Sequence, residues 1–246
     1  GFVLFFLSVF SQIFKNSKID FIIAYILIII SLFIGERSNF IKVFIIINLY
    51  LVFTNELSNK IKISFFLILI LSMMTFLHLN QTYKVRYYNQ IVKMFENKKG
   101  FSFINNSQYG AHYNVAKEIF LDNPIFGVGI KNFRVESASE KYDILDHPKN
   151  NLRVSTHPHQ IHYEFLSETG AIGYLCFLLF ILLSLFYSFK NYLKNKNVFQ
   201  LSGILFVITS ILPLLPSGSF LSTYNSSIFW INYAVMMGYV SSNKIK

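Results

Sequence analysis

Apolar residues of this chain fall into continuous runs that are separated by short polar stretches, with one long polar exception. The seven runs cover residues 2–14, 21–34, 40–53, 63–79, 171–189, 198–215 and 228–240. Runs such as IIAYILIIISLFI do not alternate, so they predict helices rather than barrel strands. Several are shorter than the roughly 20 residues that cross a bilayer upright, and flanking residues or packing can compensate. The pattern predicts an all-α polytopic membrane protein with about seven transmembrane helices.

The short loops predict how these helices are oriented. Residues 190–197 carry three lysines and no acid, and the loops 15–20 and 54–62 also carry lysines. Because basic loops stay in the cytoplasm, strict alternation places them and the C-terminal tail there. The opposite side, which is the periplasm in a bacterium, then receives loop 35–39, loop 216–227 and the long polar segment.

The long polar segment is rich in Phe and Tyr and contains helix-like patches, so it is predicted to fold. We therefore expect three parts: transmembrane helices in 1–79, a large periplasmic helical lobe in 80–169, and transmembrane helices in 170–246. The first run lacks the basic start of a signal peptide, and we expect it to be a truncated span of a longer chain.

Composition supports this class and adds two points. Of the 246 residues, 53% are hydrophobic and only 14% are charged, against about a quarter charged in soluble domains. The net charge of +10 fits cytoplasmic anchoring or an affinity for anionic substrates or headgroups. Cys176 is the sole cysteine, so no intrachain disulfide is possible.

Within the lobe, residues 111–121 show the apolar spacing of a helix, which should end before Pro124. The following stretch NPIFGVGIKNF contains Gly127 and Gly129, which permit positive φ or close backbone approach. A dinucleotide-binding motif would need a glycine where Asn132 stands. Among the later charges, Arg134 and Arg153 are the candidates for phosphate binding, because arginine binds phosphate with two parallel hydrogen bonds.

Residues 157–173 read HPHQIHYEFLSETGAIG. Ser155 or Thr156 could cap a helix whose first turn holds Pro158. On a wheel of 100° per residue, His159, His162, Tyr163, Leu166, Gly170 and Gly173 share one face, and Glu164 and Glu168 lie opposite. Small residues on that face would let another helix approach closely.

Three interpretations of these histidines stay open. His157, His159 and His162 could bind a metal, although this spacing splays the ligands on one helix. They could be ordinary interfacial histidines, or one could accept a proton from a hydroxyl. Arg37, in the predicted turn GERSN, could likewise reach the headgroups, pair with Glu36 or bind an anionic group.

Three motifs of this chain occur in the same order as in a known protein family. His159-Gln160 is followed by nine residues and then by Gly170-Ala171-Ile172-Gly173, at the mouth of a predicted span. Upstream are Asn123-Pro124-Ile125-Phe126-Gly127-Val128-Gly129 and Gly35-Glu36-Arg37-Ser38. From Gly35 to Gly173 the chain resembles the O-antigen ligase and polymerase family of bacterial membrane glycosyltransferases, in its C-terminal part.

The resemblance implies a GT-C-like fold in the bacterial inner membrane and an active face in the periplasm. It implies transfer of a glycan from a polyprenyl-diphosphate carrier to a lipid or glycan acceptor, among membrane lipids, with no nucleic acid, cofactor or metal. His159 would be the general base and Arg37 a diphosphate clamp. The family's arginine at the start of the lobe helix is missing from QYGAHYNVA, so His112 or Arg134 would supply the second clamp.

Several functions fit this resemblance. The form of the histidine motif favours an O-antigen ligase, as in lipopolysaccharide biosynthesis. A polysaccharide polymerase and a protein O-oligosaccharyltransferase of the same family remain alternatives, because the motifs do not encode the acceptor. A lipid-linked glycan flippase is the rival from another class, but transporters keep charges within their spans, and Lys42 is the main such charge here. A purely structural membrane subunit is a weaker third hypothesis.

Overall fold

A computed structural model of the chain describes residues 17–53, 58–89, 105–143, 146–213 and 215–242, and all regular structure among them is helical. The longer helices are α1 (Ser17–Ile34), α2 (Arg37–Phe53), α3 (Asn59–Leu79), α4 (Gln108–Asp122), α5 (Ile161–Asn195), α6 (Val198–Ser210) and α7 (Thr223–Ser242). Short helical turns cover Gln81–Tyr83, Lys84–Asn89, Phe133–Glu136, Glu140–Tyr142 and Asn150–Leu152. The predicted first span, 2–14, lies outside the described residues.

Each of the six other apolar runs coincides with one helix, from α1 to α3 and from α5 to α7. Two of these helices, α3 and α5, are long and apolar enough to cross a membrane by length and composition. Ile22–Ile34 within α1 and the helix α6 are apolar but shorter. The helix α6 ends at Ser210, earlier than its apolar run, because Pro213 follows and disfavours helix in the residue before it. The number of seven spans stays a prediction.

The chain divides into two compact units. The first comprises Gly1–Val92, Ser184–Ser210 and Ile228–Lys246, and the second comprises Lys93–Leu183 and Ile211–Ser227. The helix α5 contributes its first two thirds to the second unit and its end to the first. The predicted division into 1–79, 80–169 and 170–246 is drawn by side of the membrane and not by compactness. It stays a prediction.

The core of the first unit forms where α2 packs against α1 and α6. Ile28 of α1, Ile47 of α2 and Leu201 of α6 are fully buried there. Gly203 lets α7 approach α6, since a Cβ at this position would lie 2.7 Å from the backbone nitrogen of Met236. Small residues at such contacts are typical of packed membrane helices.

A buried amide network ties α5, α6 and α7 together. Gln200, fully buried in α6, accepts from Asn191 Nδ2 at 3.0 Å and donates to the carbonyl of Met236 at 3.2 Å. Asn191 also donates to the carbonyl of Tyr239 at 2.9 Å. Amides that bond across helices stabilise a bundle by roughly 1 kcal/mol each. The network therefore fixes the ends of α5, α6 and α7 relative to one another.

The second unit is built around α4. Ser107 begins this helix by accepting a hydrogen bond from the Gly110 N–H at 3.2 Å, as N-cap serines do. The helix ends at Asp122, in agreement with the prediction from Pro124. Its apolar face forms a core with the segment that follows it, and the buried members are Val115, Ala116, Ile119, Phe133 and Tyr142.

The length of α5 bears on the prediction that part of it spans a membrane. Its 35 residues extend about 50 Å at 1.5 Å per residue, whereas the hydrocarbon core of a bilayer is about 30 Å thick. As a membrane span, α5 would therefore leave more than ten of its residues outside the hydrocarbon. The predicted span, 171–189, leaves the first turns of α5 outside, with the site residues before them.

Candidate active site

The two glycine motifs form one structural joint at the start of the predicted span. Gly170 has φ 66° and ψ −171°, which interrupts α5. Across this break, the N–H groups of Ala171 and Ile172 donate to the carbonyls of Pro124 and Ile125 at 2.8 and 3.3 Å. The glycine turn therefore replaces the carbonyls that the helix loses at its interruption.

The joint is reciprocal, because the turn also donates to the helix. The Val128 and Gly129 N–H groups bond the carbonyls of Ser167 and Glu168 at 3.0 and 2.9 Å. Gly127 and Gly129 both have positive φ, of 66° and 95°. The predicted role of these two glycines is thereby confirmed.

Close approach explains why Gly127 and Gly170 carry no side chain. A Cβ on Gly127 would lie 2.6 Å from the backbone nitrogen of Gly170, and one on Gly170 would overlap the Ile125 carbonyl. The prediction that Gly170 and Gly173 let another helix approach is wrong, because neither glycine faces a second helix. Gly170 admits the glycine turn, and a Cβ on Gly173 would meet Thr169 of the same helix.

The helix begins later than predicted, and this moves His159 out of it. The first residue of α5 is Ile161. Gln160 caps it, because its side-chain oxygen accepts from the N–H groups of His162 and Tyr163 at 2.7 and 3.1 Å. The prediction of a cap at Ser155 or Thr156 is wrong. The wheel that placed His159 on one face with Gly170 is also wrong, since it assumed an uninterrupted helix.

His159 lies in the left-handed backbone region, with φ 60°. For a residue with a side chain this conformation costs about 1 kcal/mol or more and persists only where the surroundings enforce it. The enforcing contact is a hydrogen bond from the Ser217 N–H to the His159 carbonyl, at 2.8 Å. The segment 211–227, which includes the predicted outer loop 216–227, therefore holds this strained backbone through Ser217.

Aromatic and imidazole rings surround the His159 side chain. The ring of His112 stacks on it at a centroid distance of 5.1 Å, and His157 and Tyr109 lie at 4.0 and 5.5 Å. Its Nε2 lies 3.4 Å from the hydroxyl oxygen of Ser155. The structure thus brings together two of the predicted site residues, His112 and His159.

His112 is nearly fully buried on α4, with 1% of its surface exposed. Its Nε2 lies 2.8 Å from the carbonyl oxygen of Leu152. Because a carbonyl can only accept, Nε2 carries the proton. Burial lowers the pKa of His112, although the hydrogen bond to Leu152 opposes the shift. The ring is therefore held neutral, beside His159.

The pKa of His159 is lowered to about 4, first by burial and then by the neighbouring His157 and His112. Removing a cation from water is unfavourable, and a second positive charge nearby disfavours it further. Burial also lowers the pKa of His157. Three adjacent imidazoles are therefore neutral at physiological pH, with lone pairs that can accept protons.

The three histidines considered as metal ligands lie in two different places. His162 lies apart from the other histidines, where its Nε2 donates to the Ile211 carbonyl at 2.8 Å and its Nδ1 lies 3.0 Å from the Tyr174 hydroxyl. Among the described residues no group of three His, Cys, Asp or Glu side chains is arranged to hold a metal ion. His157, His159 and His162 do not converge.

The two glutamates of α5 are buried anchors, whereas the wheel placed them away from the functional face. Glu164 accepts from the Phe220 N–H at 2.7 Å and from the Ser219 hydroxyl. Glu168 accepts from the Lys131 N–H at 2.6 Å and the Phe133 N–H at 3.4 Å. Each carboxylate thus holds one loop against α5.

The three predicted arginines lie in different settings. Arg153 forms an ion pair with Asp143 at 2.8 Å. Arg134 is exposed after the glycine turn, and its Nε donates to the Lys131 carbonyl at 3.0 Å, so its contact is with that turn. Arg37, in the first unit, is exposed at the start of α2. The turn before it is shorter than GERSN, because only Gly35 and Glu36 lie outside the helices.

Sequence reasoning missed three contributors to the site: Tyr109, Glu164 and Ser217. Tyr109 lies three residues before His112 and therefore shares its helix face, a signal that was available. The contacts of Glu164 and Ser217 join residues more than fifty positions apart. No local pattern marks them, apart from the cluster of serines in PSGSFLS.

Comparison with known proteins agrees with the motifs. A family model described as O-antigen ligase matches residues 3–178, which is more than two thirds of the chain. Neither a curated protein nor a solved structure gives a match. The matched range contains the histidine motif and both halves of the glycine joint. This chain belongs to the O-antigen ligase family.

Proposed function

We propose that the chain transfers a glycan from a polyprenyl-diphosphate carrier to an acceptor hydroxyl, as an O-antigen ligase does, at the periplasmic face of the bacterial inner membrane. Members of the family are glycosyltransferase-like enzymes. The observation that carries the proposal is His159: a neutral imidazole, held in a strained backbone conformation, within the motif that the family shares.

In the proposed reaction the acceptor oxygen attacks the anomeric carbon of the donor sugar. The bond between that carbon and the diphosphate oxygen breaks, and its electron pair leaves with the diphosphate. The hydroxyl proton passes to the unprotonated ring nitrogen of His159. General base catalysis of this kind contributes about 10²–10⁴-fold. The donor supplies its own leaving group, so the step needs no sugar nucleotide.

The low pKa of His159 suits a base that must be unprotonated before the substrates arrive. A base of pKa about 4 is weak in the free enzyme. The diphosphate of a bound donor places negative charge nearby, and such a charge raises a histidine pKa. In this proposal the imidazole gains basicity when the donor binds, which ties proton transfer to the presence of the leaving group.

Arginine is the side chain suited to the diphosphate, and we assign that role first to Arg37 and then to Arg134. Guanidinium groups keep their charge and bind phosphate oxygens in pairs. His112 is less suited to it, because it is neutral and its Nε2–H already bonds Leu152. We assign His112 to holding the His159 ring. An unchanged KM for the donor in Arg37→Ala would exclude the assignment of Arg37.

The experiment that tests the proposed base is His159→Asn. Asparagine tolerates the left-handed conformation, so this variant removes the imidazole while keeping the backbone. We expect glycan transfer to fall by about 10²-fold or more, with normal membrane insertion. The matched control is His78→Asn, at an exposed histidine near the end of α3. Transfer within a few-fold of wild type in His159→Asn would refute the role of the base.

A further inference from the structure

The glycine turn presents large apolar side chains to the outside of the lobe. Ile125, Phe126 and Ile130 are 56, 74 and 61% exposed. They lie within six residues of one another at the tip of the turn. Scattered apolar side chains are ordinary on a protein surface, but a contiguous apolar group marks an interaction surface.

The tip lies beside the start of the predicted membrane span of α5. The carbonyls of Pro124 and Ile125 accept hydrogen bonds from Ala171 and Ile172, where the predicted span of α5 begins. Below them, Leu175 and Leu179 of α5 are exposed as well, as side chains that face lipid are. The tip therefore continues the exposed apolar face of the span upward.

Several backbone N–H groups of the turn are hydrogen-bonded within the protein, as an environment poor in water requires. The N–H groups of Gly127, Val128 and Gly129 donate to the carbonyls of Asn123, Ser167 and Glu168, and the Lys131 N–H donates to the Glu168 carboxylate. Irregular backbone is tolerated at membrane depth only when its polar groups are bonded within the protein. These four donors meet that requirement.

Basic side chains flank the apolar tip. Lys131 and Arg134 are both exposed, and the hydrogen bond from Arg134 Nε to the Lys131 carbonyl keeps them together. An apolar tip beside two cations matches the layers of an anionic bilayer, in which hydrocarbon lies beneath phosphate.

We propose that the tip formed by Ile125, Phe126 and Ile130 inserts into the bilayer interface beside α5, with Lys131 and Arg134 on anionic lipid phosphates. The joint at Gly170 then fixes the lobe to the membrane as well as to α5. Because α5 also begins beside His159, this insertion sets the height of the histidine group above the lipid.

The experiment is a spin-label accessibility measurement on the full chain in nanodiscs. Cys176 is replaced by alanine, and a single nitroxide is attached at Phe126→Cys. We expect frequent collisions with oxygen, which concentrates in lipid, and loss of collisions with a water-soluble nickel complex. Two reference labels calibrate the result: Leu179→Cys in the span and Glu118→Cys, at an exposed polar position of α4.

Two outcomes would overturn the insertion. A label at position 126 that collides with nickel as often as the label at position 118 would place the tip in water. A label shielded from both oxygen and nickel would show that protein covers the tip, from a second copy or from another part of the molecule.

The role of the cations is tested with the double variant Lys131→Gln and Arg134→Gln. In nanodiscs of phosphatidylcholine with phosphatidylglycerol, we expect it to raise nickel collisions at position 126. In phosphatidylcholine alone it should leave them unchanged. An equal effect in both lipids, or none in either, would contradict the contact with anionic phosphate.

Discussion

At the scale of single residues, the chemistry of His159 is set by contacts that are remote in sequence. Its backbone is held by Ser217, and its ring is enclosed by His112, His157 and Tyr109. These contacts keep the imidazole neutral and its orientation fixed. A histidine on a regular helix at the membrane surface would have neither property.

The lowered pKa of these histidines makes stability depend on pH. In the unfolded chain they take up protons below their ordinary pKa of about 6.5, whereas folded His159 does so only near pH 4. Stability is therefore present above pH 6.5 and is lost as pH falls toward 4. We expect the thermal unfolding midpoint of His159→Asn to fall less between pH 7 and pH 5 than that of wild type. Parallel curves for the two proteins would argue against a half-buried, neutral His159.

Glycine at two positions is required by space and by backbone conformation. Gly127→Ala and Gly170→Ala each place a Cβ against backbone atoms of the other half of the joint at a positive φ. We expect each to destabilise the fold by about 2 kcal/mol or more, measured as a lowered unfolding midpoint. Gly238→Ala is the control, since a Cβ there meets nothing within 4 Å. A midpoint unchanged in Gly170→Ala would contradict the joint.

At the scale of elements, α5 organises the second unit through two glutamates one turn apart. Glu164 holds the segment around Phe220, and Glu168 holds the turn around Lys131 and Phe133. An unpaired buried N–H costs about 1–3 kcal/mol. Losing either carboxylate should therefore loosen the loop that it holds.

Hydrogen exchange should separate the two anchors. In Glu168→Ala we expect faster amide exchange in residues 127–136 and little change in 217–222. In Glu164→Ala we expect the reverse. Glu118→Ala, at an exposed residue of α4, serves as the matched control and should alter neither segment. Equal loosening of both loops by either variant would contradict separate anchoring.

The sequence predicted these elements better than it predicted their junctions. Apolar runs are local, and they located the apolar helices of the described residues; Pro124 likewise predicted the end of α4. The interruption at Gly170 and the start of α5 at Ile161 follow from hydrogen bonds between distant segments. A helical wheel has no means to represent them, so it misplaced His159.

At the scale of the whole molecule, the family match and the site do not end at the same residue. The match stops at residue 178, within α5. The segment 211–227 lies beyond it, yet belongs to the same compact unit as the histidines and bonds His159, His162 and Glu164. A site defined by the matched motifs alone would lack the part that holds its central histidine.

The most direct measurement is a product analysis in proteoliposomes. The purified protein receives a glycan on polyprenyl diphosphate together with a lipid core acceptor, and both products are quantified. We expect equal amounts of glycosylated acceptor and free polyprenyl diphosphate from wild type, and neither from His159→Asn. Movement of the lipid-linked glycan across the bilayer without either product would identify a flippase instead. Undiminished transfer by His159→Asn would contradict the central role of this histidine.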